Sequence, residues 1–227
     1  MNNRSFFVFF MCLILNLSAS GQNQLIWKKE VGGAVFSSLV VHGNNLYFGS
    51  HDSVLYALDK ADGHEVNRFK AGGQIRSAPL VVDSLLIFNS SDGVVSAVGL
   101  HDFNVRWTFR TQGEKQYDMW DYFLSSPVTA NDLVFVGSGD GFVYALETRS
   151  GALKWKFSTG AVVHATPLVA QGKVFIGSFN GFFYALDALD GHLVWSFKTV
   201  GDASFPKGEI QKGAAMFNNS VVFGCRD

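Results

Sequence analysis

The sequence predicts an all-β fold, a β-propeller of four-stranded antiparallel blades, and three repeated features predict it. A Tyr-Ala-Leu-Asp/Glu phrase recurs at 56–59, 144–147 and 184–187. A Gly-Ser-x-Asp-Gly turn and a segment of small residues followed by proline recur in phase with that phrase. Because three unrelated markers keep one period of about 40 residues, chance matches do not explain them.

Each repeat reads as four short strands, which we name A to D in chain order. Runs rich in β-branched and aromatic residues are separated by residues that favour tight turns. In the clearest copy the turns carry Asn180-Gly181 and Asp190-Gly191, which supply the positive φ that hairpins need. The runs of that copy lie at 168–169, 174–177, 182–186 and 193–197. No amphipathic helical period of useful length accompanies them.

Tryptophan marks the end of the outermost strand of the repeat. The equivalent positions are Trp27, Asn67, Trp107, Trp155 and Trp195, so the steps are 40, 40, 48 and 40 residues. We expect the ring to cover the joint with a neighbouring blade and its indole N–H to reach a carbonyl. Asn67, which replaces Trp in one copy, should weaken that joint without breaking the ring of blades.

The repeated acidic residues of the turns are predicted to be structural. Asp52, Asp92, Asp140 and Asn180 stand where a turn needs a side chain that bonds its own backbone. A residue that is present in every copy serves every copy, so these positions are not expected to form a binding site.

Composition bounds the class of protein. Of the 227 residues, 48% are hydrophobic and 15% are aromatic, which is ample for a packed core. The formal net charge is −1, and the Lys and Arg residues are scattered rather than gathered into a stripe. Nucleic acid is therefore not an expected partner.

Residues 1–21 have the layout of a secretory signal peptide, followed by repeats over 22–227. Arg4 precedes an apolar stretch from Phe6 to Leu17, and small polar residues follow it. We predict cleavage near residues 20–22, export to the periplasm or cell envelope, and no transmembrane span in the mature chain. An uncleaved anchor or a buried strand is the alternative. Cys12 lacks the preceding small residues of a lipid-attachment site, and Cys225 alone would remain after cleavage, which allows no internal disulfide.

The phrase Ala-x-Asp-x-x-x-Gly-x-x-x-Trp, complete from Ala185 to Trp195, resembles the tryptophan-docking motif of propellers of the pyrroloquinoline-quinone (PQQ) type. The stretch from Ala145 to Trp155 matches it with Glu147 in place of Asp. The resemblance covers nearly all of the predicted mature chain. It implies a propeller that commonly closes with seven or eight blades. It also implies either a non-catalytic scaffold of the type that assists outer-membrane assembly, as in the BamB-like branch, or a quinoprotein dehydrogenase.

The residues favour the non-catalytic branch. Quinoprotein enzymes of the resembled family typically hold calcium through acidic and Asn side chains and often carry adjacent cysteines, which this sequence lacks. Outside the repeat positions, Asp118 and Asp121 are the one pair of nearby carboxylates, and we expect them to be solvated on a loop because a calcium site needs about six oxygens. No pair of histidines has metal-ligand spacing. We therefore expect no enzyme, no cofactor and no metal; PQQ and calcium belong to the alternative, a dehydrogenase whose catalytic residues lie outside this chain.

Candidate contact residues lie where the copies differ. Strand alternation places the D-to-A connections and the B-to-C turns on one face, which we call the loop face. The eight extra residues fall in the D-to-A connection at 112–123, which we call the insertion, and a second long connection at 201–208 lies on the same face. The insertion is rich in Tyr, Trp and Met, which are enriched in protein interfaces. It predicts contact with a protein or peptide, and the resemblance implies outer-membrane assembly machinery as that partner. The alternative is a plug over the blade joint.

One equivalent position at the mouth of the central channel also differs between copies. It holds Phe36, Arg76, Leu124, His164 and Gln211, and small residues follow it as crowding at an axis demands. Arg76 and His164 bring charge to this position and are the pocket candidates. The candidate residues for partner or ligand contact are therefore Arg76, Tyr117, Trp120, Asp121, Tyr122 and His164.

A fifth copy begins at Gly224 and reaches only the Asp227 turn position. About four complete blades and part of a fifth are therefore predicted. We expect the sequence to be a fragment of a longer propeller, since an open arc would expose unpaired blade faces.

Overall fold

The computed structural model describes residues 25–117, 119, 121–201, 203–204 and 207–226. The predicted signal peptide and the Asp227 position lie outside the described residues. Within the described ranges every regular element is a β-strand, and no helix there is long and apolar enough to cross a bilayer. The all-β propeller prediction is confirmed.

In the part of the chain that the structure describes, eighteen strands form four sheets of four strands and one sheet of two. Blade 1 contains β1 (Val40–His42), β2 (Asn45–Gly49), β3 (Val54–Asp59) and β4 (Glu65–Lys70). Blade 2 contains β5 (Leu80–Val82), β6 (Leu85–Ser90), β7 (Val94–Gly99) and β8 (Val105–Arg110). Blade 3 contains β9 (Val128–Ala130), β10 (Leu133–Gly137), β11 (Phe142–Glu147) and β12 (Leu153–Ser158). Blade 4 contains β13 (Leu168–Ala170), β14 (Lys173–Gly177), β15 (Phe182–Asp187) and β16 (Leu193–Lys198), and blade 5 contains β17 (Ala215–Phe217) and β18 (Ser220–Val222).

Every blade is a simple antiparallel meander, because hydrogen-bonded neighbours follow one another in the chain. The repeated alanine lies opposite the tryptophan position of strand D, as in Ala145 opposite Trp155 and Ala185 opposite Trp195. The register shifts directly after this alanine in all four complete blades. A shift of this kind bends the outer strand, and the small alanine leaves room for the ring opposite it.

The apolar core lies between blades rather than within one sheet. One cluster joins Phe135 and Trp155 of blade 3 to Ile176 and Leu186 of blade 4. A second cluster joins blade 2 to blade 3 in the same way. Each blade therefore buries its faces against its neighbours, which is how stacked repeats gain stability.

The repeated acidic residues brace the B-to-C turns, as predicted. Asp140 accepts a hydrogen bond from the backbone N–H of Phe142 at 3.0 Å and another from the Tyr144 hydroxyl at 2.5 Å. Burial, followed by this hydrogen bond to the Asp140 carboxylate, raises the pKa of Tyr144 above its ordinary value. Asp52 repeats both contacts in blade 1.

The tryptophans close the blade joints, also as predicted. The Trp107 indole N–H donates to the Thr148 carbonyl at 2.9 Å, and that of Trp155 donates to the Ala188 carbonyl at 3.1 Å. Each ring lies flat against the repeated glycine of the next blade. A Cβ on Gly151 would lie 2.4 Å from the Trp107 ring, so this position requires glycine.

At the joint between blades 1 and 2, the missing tryptophan is replaced by another aromatic ring, so the joint is not simply weakened. The Asn67 amide still donates to the His101 carbonyl, at 3.4 Å. Where the other complete blades have glycine, blade 2 has Phe103. This side chain is 6% exposed and belongs to an apolar cluster shared by blades 1 and 2. Its ring centroid lies 6.5 Å from that of Tyr47, much as Trp155 lies 5.7 Å from Phe135 in blade 3. An aromatic ring from the opposite side therefore fills the space that the missing tryptophan leaves.

Candidate functional site

The channel position predicted from the repeat alignment is confirmed geometrically. Its five residues line one cavity of about 180 Å³ at the axis. They are Phe36, Arg76, Leu124, His164 and Gln211. In four of the five copies the residue that follows this position is small and buried, as crowding at an axis demands. Those buried small residues are Ser37, Ser77, Ser125 and Ala165.

The insertion folds back into the channel mouth. Asp121, for which we expected a solvated place on the loop, is fully buried, so that expectation is wrong. The reason is the neighbouring blade: the His164 imidazole contacts the Asp121 carboxylate at 2.8 Å. An ion pair across two blades outweighs the hydration that an isolated loop carboxylate would keep.

His164 is held between two carboxylates. Its Nδ1 lies 2.8 Å from Asp121 and its Nε2 lies 2.5 Å from Glu114. A neutral imidazole can donate only one hydrogen bond, so two carboxylate partners require the doubly protonated ring. Burial opposes this charge, but hydrogen bonds to Asp121 and Glu114 outweigh burial and raise the pKa of His164 to about 9.

Asp121 forms hydrogen bonds with residues from four segments of the chain. It accepts a hydrogen bond from the Tyr117 backbone N–H at 2.8 Å and a long one from Gln211 at 3.4 Å. The Arg76 guanidinium donates to its backbone carbonyl at 3.2 Å. Burial would raise the pKa of this carboxyl, but the hydrogen bond and the charge of His164 hold it below its ordinary value.

Glu114 fastens the other end of the insertion. Its carboxylate accepts the backbone N–H of Gly139 at 2.7 Å and the Ser138 hydroxyl at 3.3 Å. A Cβ on Gly139 would lie 2.3 Å from that carboxylate, so glycine is needed for the contact. We call His164, Glu114 and Asp121 the latch. Sequence reasoning missed Glu114, although the glycine unique to this copy of the turn was a signal for it.

Two described apolar residues of the insertion are exposed, and a third is half-buried. Met119 is 72% exposed, and Tyr122 is 36% exposed while its ring stacks on Phe36 at a centroid distance of 5.3 Å. Tyr117 is half-buried against Phe179 and donates its hydroxyl to Glu209 at 2.9 Å. Of the remaining insertion candidates, Trp120 and Asp118 lie outside the described residues.

The structure thus divides the sequence-predicted residues into two groups. Arg76, Asp121 and His164 are buried in or beside the latch. Tyr117 and Tyr122 lie nearer the surface of the loop face, together with Lys207 of the second long connection, whose ammonium is 6.0 Å from the Tyr117 ring. The insertion is therefore anchored at Glu114 and Asp121, and two of its described residues, Met119 and Tyr122, are exposed.

Two C-to-D turns each gather two aspartates and one histidine within 4.8 Å, a grouping that the sequence analysis did not anticipate. The sets are Asp59, Asp62 and His64, and Asp187, Asp190 and His192. Their carboxylates already accept turn N–H groups, for example from His64 to Asp62 at 2.9 Å. The geometry is that of a braced turn, and we assign it no further role.

The cavity at the channel position is small. A cavity of about 180 Å³ is smaller than the roughly 300 to 1,000 Å³ of organic-ligand pockets. The chain's two cysteines, Cys12 and Cys225, are far apart in the sequence, so no adjacent pair is available.

Comparisons of the sequence with known proteins agree on one family. A family model described as outer membrane protein assembly factor BamB matches residues 16–119 and 119–225. The curated BamB of Yersinia pestis is 32% identical over 66 residues, which is 29% of this chain and 17% of that protein. The BamB of Shewanella oneidensis is 24% identical over 107 residues, which is 43% of this chain and 27% of that protein. The matches thus span less than a third of the curated relatives' length.

Solved structures share the fold. The crystal structure of BamB from Moraxella catarrhalis matches with a TM-score of 0.70 at 17% identity, covering 83% of this chain and 58% of that one. A quinohemoprotein alcohol dehydrogenase from Pseudomonas putida HK5 matches with a TM-score of 0.67 at 15% identity, covering 87% and 40%. Identities this low show the fold alone. Since the family model matches nearly the whole described chain in two consecutive segments, the protein belongs to the PQQ-like repeat family described as outer membrane protein assembly factor BamB.

Proposed function

We propose that this protein is a non-catalytic scaffold of the cell envelope that binds a protein or peptide partner through its loop face. One observation carries the proposal: the insertion is fastened by a buried ionic latch at its ends and yet presents Met119 and Tyr122 to solvent. Exposed apolar patches on a protein surface are a common mark of an interaction site.

The latch favours binding because it fixes the loop in advance. A partner that docks on an ordered loop avoids the entropy cost of ordering it. His164, Glu114 and Asp121 make that order from groups that are at most 5% exposed. Met119 and Tyr122, the exposed apolar residues of the insertion that the structure describes, are of types enriched at protein interfaces.

Family membership supports outer-membrane assembly as the setting. The matched relatives are named outer membrane protein assembly factors, and we extend that role to this chain as part of the proposal. The predicted signal peptide at 1–21 supports export to the periplasm or envelope. The quinoprotein alternative shares the propeller fold, but no residue of the channel specifically favours it.

The test is capture of partners from an envelope fraction by the tagged protein and by Met119→Asp, read by mass spectrometry. A charge at this exposed site should lower recovery of outer-membrane assembly components at least about tenfold, as loss of an interface anchor does. Leu189→Asp is the matched control, because Leu189 is 62% exposed but lies on a C-to-D turn of the opposite face. Unchanged recovery with Met119→Asp would remove the insertion from the proposal, and absence of assembly components from every capture would remove the setting.

A further inference from the structure

The central channel beside the latch contains a partly open cavity that the scaffold role does not use. It has a volume of about 180 Å³, and its wall combines polar and aromatic side chains. The polar part includes Arg76, Ser126, Thr166 and Lys212, and the apolar part includes Phe36 and Phe123.

Arg76 is the residue that indicates a ligand. It is 93% buried, since only 7% of its surface is exposed, and one guanidinium nitrogen donates to the Asp121 carbonyl at 3.2 Å. Its Nε is buried and donates to no group of the described chain. An unpaired donor on a buried cation is costly, and structures normally satisfy such a donor with a partner, an ion or water.

The other polar groups of the wall also offer donors. The Ser126 hydroxyl oxygen accepts from the Ala78 N–H at 2.9 Å, and that of Thr166 accepts from the Ser126 N–H at 3.3 Å, so both hydroxyl protons remain for other acceptors. The Lys212 ammonium lies over the Phe123 ring, 3.0 Å from its centroid, at the rim of the cavity. A second cation therefore stands close to the entrance.

The carboxylates near the cavity already have hydrogen-bond partners within the protein. The two oxygens of Asp121 are taken by His164, the Tyr117 N–H and Gln211. Glu114 is bound to His164 and to the blade 3 turn. The cavity wall therefore presents cationic and hydroxyl donors without a free carboxylate among its lining residues.

We infer that this cavity binds a small carboxylate anion, with the Arg76 guanidinium as its principal partner. A planar carboxylate matches the fork of a guanidinium. The volume equals roughly six water molecules, which admits a carboxylate with a short carbon chain but not a large cofactor. Phe36 and Phe123 would contact the carbon chain. The carboxylate can belong to a free organic acid or to the C-terminus of a peptide.

The experiment is isothermal titration calorimetry of the purified protein with acetate, with succinate, and with trialanine in its free-acid and amidated forms, at constant ionic strength set by chloride. We expect saturable binding of at least one carboxylate, weakened about tenfold to a hundredfold in Arg76→Met, as for loss of a hydrogen bond to a charged group. Arg149→Met is the control, because Arg149 is exposed and far from the channel, and it should bind as the unmodified protein does.

The ligand series identifies the source of the carboxylate. Binding of acetate or succinate supports a free acid, whereas binding of free trialanine but not of its amide supports a peptide C-terminus. Should Arg76→Met fail to fold, Lys212→Gln changes an exposed rim residue and should weaken binding severalfold. The inference is overturned if no carboxylate binds saturably in the millimolar range, or if the folded Arg76 and Lys212 variants bind as tightly as the unmodified protein.

Discussion

His164 occupies a position that holds Phe36, Arg76, Leu124 or Gln211 in other copies, and its buried ring contacts two carboxylates. Its contribution to stability comes from its two carboxylate partners, both of which belong to the insertion. Removing one partner of such a buried ion pair leaves the other charge buried and uncompensated. This destabilises the protein more than replacing the whole pair by apolar residues would.

The latch predicts a particular pH dependence of stability. The pKa of His164 rises from 6.5 to about 9 on folding, so its contribution is fully present below pH 6.5 and is lost as pH rises through 9. This contribution is about 3 kcal/mol at most. The lowered pKa of Asp121 acts in the opposite sense, and its contribution is lost as pH falls below that lowered value.

We expect His164→Gln to lower the free energy of unfolding by about 3 kcal/mol or more at neutral pH and to flatten the fall in stability above pH 6.5. Urea unfolding over a series of pH values measures both effects. His192→Gln, at an exposed turn histidine, is the control and should leave the curve unchanged. A curve of His164→Gln parallel to that of the unmodified protein would contradict the latch.

At the scale of elements, the joint between blades shows two ways to fill one space. Trp107 and Trp155 reach forward onto a glycine of the next blade, whereas Phe103 reaches back to Tyr47 of blade 1. Phe103 holds a positive φ of 55°, which is unfavourable for a bulky residue. The buried ring therefore offsets some backbone strain.

Because the two substitutions are complementary, we expect them to be strongly coupled. Phe103→Gly alone should cost about 3 kcal/mol through the lost ring, and Asn67→Trp alone about 1 to 3 kcal/mol through overpacking. Together they should restore the usual joint and recover at least about 1 kcal/mol.

Urea unfolding of the four proteins in this cycle gives the coupling energy. Val66→Trp is the control partner for Phe103→Gly, because Val66 lies on the same strand but is 47% exposed. That pair should add within about 0.5 kcal/mol. Additive behaviour of the Asn67 and Phe103 substitutions would show that Phe103 does not replace the missing tryptophan.

At the scale of the whole molecule, blades stack side by side and the insertion crosses the stack. It bonds to blade 3 through Glu114, to blade 4 through His164 and to the segment before blade 5 through Tyr117 and Glu209. A single connection therefore ties three successive units together near the axis.

The same envelope role predicts processing of the N-terminus. Protein recovered from the envelope fraction should begin near residues 20–22, since the apolar stretch before them has the length and flanks of a signal peptide. Intact mass and N-terminal sequencing measure this. Leu15→Arg, which interrupts the apolar stretch, should leave the precursor in the cytoplasm, and an unprocessed precursor exported to the envelope would contradict the prediction.

The sequence by itself determined the blade architecture, the strand positions and the structural role of the repeated Asp and Trp residues. Periodicity and turn residues are local properties, so they can be recognised without coordinates. It also placed Arg76 and His164 at one channel mouth, because equivalent positions of a repeat occupy equivalent places.

Only the tertiary structure decided how the differences between copies combine. Asp121 lies 43 residues from His164 and Glu114 lies 50 residues from it, and no local pattern relates them. Likewise Phe103 fills, across a blade joint, the space that is left because Asn67 replaces a tryptophan. These contacts form because burial makes an unpaired charge or an empty space costly, and which groups meet to avoid that cost depends on the packing of whole blades.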